Sequence, residues 1–167
     1  MKLEFIKQKL EIDFSFGFTI NQYSIVGKFD LNELLKINQV FDHEIRPSHI
    51  NKDKSGYLKG LFKTEMLSVK DFKFINTNGI YYYLEGFSES VEEWGDQRFF
   101  FKNLIDKFKI NCANNMCDCY LINKEWFYDN KEKVNEREFA LYDFYFIVLW
   151  IDKKDSSKLY ISEWFAD

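Results

Sequence analysis

The sequence is poor in the residues that make linkers, staples and conventional active sites. Pro occurs once and Gly seven times in 167 residues. So little of either leaves no room for long flexible linkers, and a single domain over residues 1–167 is expected. Cys occurs three times, an odd count. The opening MKLEFIKQKLEIDF intersperses charge with apolar residues and contains no continuous apolar core of a secretion signal. The reading is reduced thiols in a cytoplasmic setting. The longest apolar run, LYDFYFIVLWI at 141–151, is too short to span a bilayer and contains Asp143.

Catalytic signatures are missing as well. There is no G-x-S-x-G, no P-loop and no G-x-G-x-x-G. The two histidines, His43 and His49, stand in an H-E-x-x-x-x-H order. That spacing is not one helical turn, so one helix face cannot present both rings to a metal, and with Glu44 they read as loop and capping residues. Cys112, Cys117 and Cys119 in NCANNMCDCY match no zinc-ligand spacing and form no C-x-x-C at a helix start. In a strand, Cys117 and Cys119 share one face, which suits two small apolar side chains against a core. No catalytic residue, cofactor or metal ligand is expected.

Aromatic residues are abundant instead, with Phe 19 times and Tyr 10 times, which implies an interior dominated by ring packing. Period-two alternation from Leu10 to Ile20 predicts a strand, with residues 23–29 returning through Asn21-Gln22. Asp30 and Glu33 form a capping-box pattern ahead of a short helix to about Phe41. DFKFI and IYYYLEGF flank NTNG, which predicts a hairpin over 71–87. Ser90 and Glu93 repeat the capping pattern. Phe101, Leu104, Ile105 and Phe108 then predict a helix at about 97–109. Strands are expected over 117–127, over 142–151 with both faces buried, and in KLYISEWF. The sum is an α+β domain: a mainly antiparallel twisted sheet with two or three helices packed on one face.

The formal charge of −4 is unevenly spread. Residues 1–87 hold 12 Lys/Arg and 11 Asp/Glu; residues 88–167 hold 11 and 16. An acidic half repels nucleic acid and attracts basic proteins. The cationic loop 51–63, with Lys52, Lys54, Lys59, Lys63 and the rings of Tyr57 and Phe62, is a thin patch against that balance, and a solvated loop explains it better. Two acidic clusters surround aromatic residues: Glu89, Glu92, Glu93 and Asp96 around Trp94, then Trp126 and Tyr128 followed by Asp129, Glu132, Glu136 and Glu138. A desolvated ring within an acidic rim has the composition of an interface anchor, although acids near a helix start also stabilise the helix itself. The expected function is therefore non-catalytic binding of a basic protein. Its most specific form is an immunity protein, an inhibitor that covers the cationic active site of a toxin such as a nuclease. The competing expectation is a small-molecule binder or enzyme with an aromatic pocket on a curved sheet, lined by Tyr81, Tyr83 or Tyr145.

Overall fold

The computed structural model describes residues 1–36, 66–90, 92–134 and 143–166. They form an α+β fold around one antiparallel sheet of six strands. The strands are β1 (Lys2–Asp13), β2 (Phe16–Val26), β3 (Lys73–Asn76), β4 (Asp118–Ile122), β5 (Phe144–Ile151) and β6 (Lys158–Ala166), in the spatial order β1-β2-β6-β5-β4-β3. The helices are α1 (Leu31–Leu35), α2 (Thr77–Ser90), α3 (Arg98–Cys112) and α4 (Lys124–Asp129).

The sheet separates two cores. On one face α2 and α3 pack Ile80, Leu84, Phe87, Phe101, Leu104, Ile105 and Phe108 against Phe16, Phe18, Phe146, Trp150 and Trp164. The opposite face holds Tyr23, Ile25, Tyr145, Ile147, Leu159, Ile161 and Phe165, with Leu31, Leu34 and Leu35 of α1 and Phe127 of α4. The two long helices share one face as expected, while the short helices and a second apolar core occupy the other. Strand alternation accounts for this division, because successive residues of β5 and β6 feed alternate cores. Each fully buried Phe or Leu stabilises the fold by roughly 1.5–3 kcal/mol. Both faces are therefore needed to hold the centre of the sheet.

Several local expectations are corrected. The first hairpin turns at Phe14-Ser15, where Asp13 pairs with Phe16, and not at Asn21-Gln22. Asn21 and Gln22 lie in the middle of β2 and are buried. Asn21 is satisfied there, accepting from Gln8 at 2.8 Å and donating to Glu163 at 3.3 Å. NTNG does not make a hairpin either. Asn76 Oδ1 accepts from the Gly79 N–H at 2.8 Å, so the stretch caps the start of α2. A Cβ on Gly79 would stand 2.4 Å from Ile75 Cγ1, so the glycine allows close packing of the strand-to-helix corner. The Tyr-rich run then buries Ile80, Leu84 and Phe87 with helical spacing.

Asp30 caps α1 through the N–H groups of Asn32 and Glu33. The predicted continuation of that helix to Phe41 lies outside the described residues. Ser90 ends α2, donating to the Phe87 carbonyl, where a helix start had been expected. The expected helix at 97–109 is found as α3, three residues longer at its C-terminal end. The strand expected over 117–127 stops at Ile122. Asn123 then caps α4 by accepting from the Trp126 N–H.

Candidate interaction surface

At one end of the molecule the β1–β2 turn meets the start of α3. Phe14, the first residue of the two-residue turn, has φ +58°, the only non-glycine with positive φ among the described residues. Hairpins usually place Gly at that position, and a bulky residue there costs about 1–3 kcal/mol. Its ring nevertheless remains 61% exposed and stacks on Phe100 at 5.3 Å. Phe100 meets Phe99 edge-on at 5.9 Å, and Phe99 is 64% exposed. Trp94 borders the same corner, half-buried, against Phe16 at 4.6 Å and Phe101 at 5.1 Å. Its neighbour Gly95 has φ +48°, which breaks the 3-10 segment Glu92–Gln97 before α3 begins.

Charges of both signs neighbour these rings in the chain, with Arg98 before Phe99 and Lys102 three residues after it. Asp13 precedes Phe14 and accepts from Asn103 of α3 at 3.4 Å. Asp96 is exposed three residues before Phe99, and Glu89 is exposed 3.8 Å from Lys102. The side chains of Glu92 and Glu93 lie outside the described residues. Trp94 is thus an inner wall of this corner, and the rings offered to solvent are Phe14 and Phe99. Neither was singled out from the sequence. A usable signal existed: Phe14 begins a turn without Gly or Asn, and Phe99 lies off the apolar stripe of α3.

The second acidic cluster belongs to the opposite face of the sheet. Trp126 packs there beside Phe127 and donates its indole N–H to Asp71 at 3.1 Å. Asp71 also accepts from Lys133 at 2.5 Å and from Ser68. Burial alone would raise this carboxyl, yet Lys133, Ser68 and Trp126 together hold it below its ordinary value. Tyr128 is exposed and donates to the Asp143 carbonyl; Asp129 and Glu132 are exposed. The second cluster nevertheless approaches the first at the start of β5, where Tyr128 reaches Asp143 beside Phe144, whose ring lies 5.7 Å from Trp94. His43, Glu44, His49, the loop 51–63, Glu136 and Glu138 lie outside the described residues.

Cys112 and Cys119 are buried in the core under α2 and α3, while Cys117 is half-buried just before β4. Burial pushes the Cys119 thiol up to about 12 and raises Cys112 further. Both therefore stay protonated and unreactive. Among the described residues no three His, Cys, Asp or Glu side chains converge on a metal position.

The most perturbed carboxyl is internal. Glu163 of β6 is fully enclosed beneath β2 and β5, and burial pushes it up to about 7 despite three donors. These are Tyr145 at 2.8 Å, Thr19 at 3.1 Å and Asn21 at 3.3 Å. The group is a satisfied polar core. Tyr145, one of the three candidate pocket residues, is committed to it, and Tyr83 accepts from the Lys124 N–H. A half-open pocket of about 370 Å³ does exist between β1, β2 and the end of α3. Its walls include Lys7, Lys9, Gln22, Asn111 and Tyr160, and none of Tyr81, Tyr83 and Tyr145.

No family model, curated protein or solved structure matches this chain. Among the described residues no helix is long and apolar enough to cross a membrane.

Proposed function

We propose that this chain is a non-catalytic protein-binding domain whose partner is basic. In its most specific form it is an immunity-type inhibitor that covers the cationic active site of a toxin, a nuclease being the natural case, in a cytoplasmic setting where its thiols stay reduced. One observation carries the reading: Phe14 and Phe99, largely exposed and linked through Phe100, border the corner that Trp94 lines, with Asp13 next to Phe14 and exposed Asp96 three residues before Phe99. Exposed aromatic groups of this kind are where partner binding energy concentrates. Such carboxylates speed encounter with a cationic cleft and fix orientation. A Phe held at positive φ in a tight turn supports the same reading, because strain that Gly would remove is retained where a ring is displayed.

The test is photo-crosslinking from position 99, with the captured protein identified and then purified. The partner should be basic, and its catalytic activity should fall when the domain is added in equal amount. Phe14→Ala and Phe99→Ala should each weaken the complex by about tenfold or more. Glu89→Lys with Asp96→Lys should slow association, most strongly at low salt. Capture of the partner by the same probe at position 128 but not at position 99, or an affinity untouched by both Phe substitutions, would overturn the proposal.

A further inference from the structure

β1 is the edge of the sheet. It pairs with β2 on one side, and among the described residues no strand pairs with its other side. An edge to which no described strand is paired, on a strand that is exposed almost throughout, forms a template for another strand. What covers it can be read from how β1 divides its side chains.

The register slips between Phe5 and Lys7, so Ile6 is the extra residue of a bulge. Before the bulge, Leu3 and Phe5 stand opposite Ile25 and Tyr23, on the face of the α1 and α4 core. After it, Gln8, Leu10 and Ile12 occupy that face, because they stand opposite Asn21, Thr19 and Gly17. Lys2, Glu4, Lys9 and Glu11 all lie on the α3 side. There Lys9 donates to Asn111 at 2.7 Å, and Glu11 accepts from Lys9 and faces Lys107. The bulge thus gives odd positions before it and even positions after it the same face.

We infer that the partner of this edge is a second copy of the chain, its β1 running antiparallel across a two-fold axis at Ile6 and Lys7. Residues directly opposite in an antiparallel pair share a face, and the bulge lets odd positions pair with even ones. In one register Lys2 meets the partner's Glu11 and Glu4 meets the partner's Lys9, each contact occurring twice. On the other face Met1 meets the partner's Ile12, Leu3 the partner's Leu10, and Phe5 the partner's Gln8. Sliding by two residues one way sets Lys2 against the partner's Lys9; the other way sets Glu4 against the partner's Glu11. Of these registers only the first sets no like charges opposite one another, at the cost of facing Phe5 with the partner's Gln8 and Ile6 with the partner's Lys7. An edge guarded merely against aggregation carries like charges, usually Lys. Alternation in a self-complementary order selects this chain as its own partner, and a two-fold pair closes without leaving a growing edge.

The mass in solution, followed by light scattering and sedimentation over a concentration series, tests this. The native chain should reach twice its 20.3 kDa. Glu4→Lys sets lysine against the partner's Lys9, and Lys9→Glu sets glutamate against the partner's Glu4. Each should weaken the dimer about tenfold or more, while the double substitution Glu4→Lys/Lys9→Glu restores it to within about threefold. Glu4 makes no ion pair among the described residues, so its substitution leaves the monomer fold intact, which circular dichroism checks. Phe14→Ala should leave the dimer unchanged, separating this edge from the aromatic corner. A chain that stays monomeric up to about 0.5 mM, or a double variant no tighter than the single ones, would overturn the inference.

Discussion

β5 and β1 lie three places apart in one sheet, both held in antiparallel ladders, yet their surroundings are opposite. β5, FYFIVLWI, is buried from Phe144 through Trp150, whereas β1, KLEFIKQKLEID, is exposed along almost all of its length. β5 is paired on both edges, with β4 and β6, while β1 is paired only with β2 among the described residues. Cover separates them as well. The long helices meet the sheet over β2, β6 and β5, and α3 reaches β1 mainly through polar contacts at Asn103, Lys107 and Asn111. The centre of the sheet supplies stability through ring packing on both faces. The edge contributes little to that and remains available for recognition.

The sharpest way to break this contrast is at the centre. Trp164 is fully buried, stacked on Phe18 at 4.8 Å and on Phe146 at 5.6 Å. Trp164→Ala should cost about 3–5 kcal/mol in urea unfolding. Trp164→Phe should cost much less, because the indole N–H has no partner among the described residues and its loss leaves nothing newly unsatisfied. Equal costs for the two variants would show that this site is not packed as the ring distances indicate.

A second probe uses pH. The Glu163 carboxyl stands at about 7 in the fold against an ordinary 4.5, with burial as the first cause. A raised carboxyl holds its proton better when folded. The stability linked to it is therefore full below about 4.5 and is lost as pH rises to about 7. Between pH 4 and 8 the native chain should lose on the order of 3 kcal/mol more than Glu163→Gln, which has no proton to release. Parallel pH profiles for the two proteins would contradict the assignment.

The smallest effect belongs to the periphery. Phe14→Gly should be more stable than Phe14→Ala by roughly 1 kcal/mol, because only the glycine relieves the positive φ. Both should bind the partner equally poorly, having lost the same ring. If alanine proves as stable as glycine, the turn is unstrained and the case for a displayed Phe14 weakens.

What could be read in advance followed the same division between centre and edge. The apolar run of β5 and the spacing of Phe101, Leu104, Ile105 and Phe108 were legible because burial imprints a period on neighbouring residues. NTNG misled because Asn followed by Gly serves a hairpin turn and a helix cap alike, and the aromatic run after it favours strands by propensity. Asn21-Gln22 resembled a turn because polar residues usually mark one. Its place inside β2 depends on Glu163 and Gln8, far off in the chain. The acidic stretch around Trp94 was visible in one dimension, but the exposed rings beside it were not, since Phe14 and Phe99 meet only through Phe100.

The amino-acid sequence alone determined the α+β class, a buried strand within 142–151, a helix near 97–109 and the absence of a familiar catalytic motif, because composition and short-range periodicity record which side chains must leave water. Only the tertiary structure decided which strand lies at the edge, which rings stay outside and which carboxyl is enclosed. Those outcomes depend on the order in which distant segments pack, and no local pattern encodes that order.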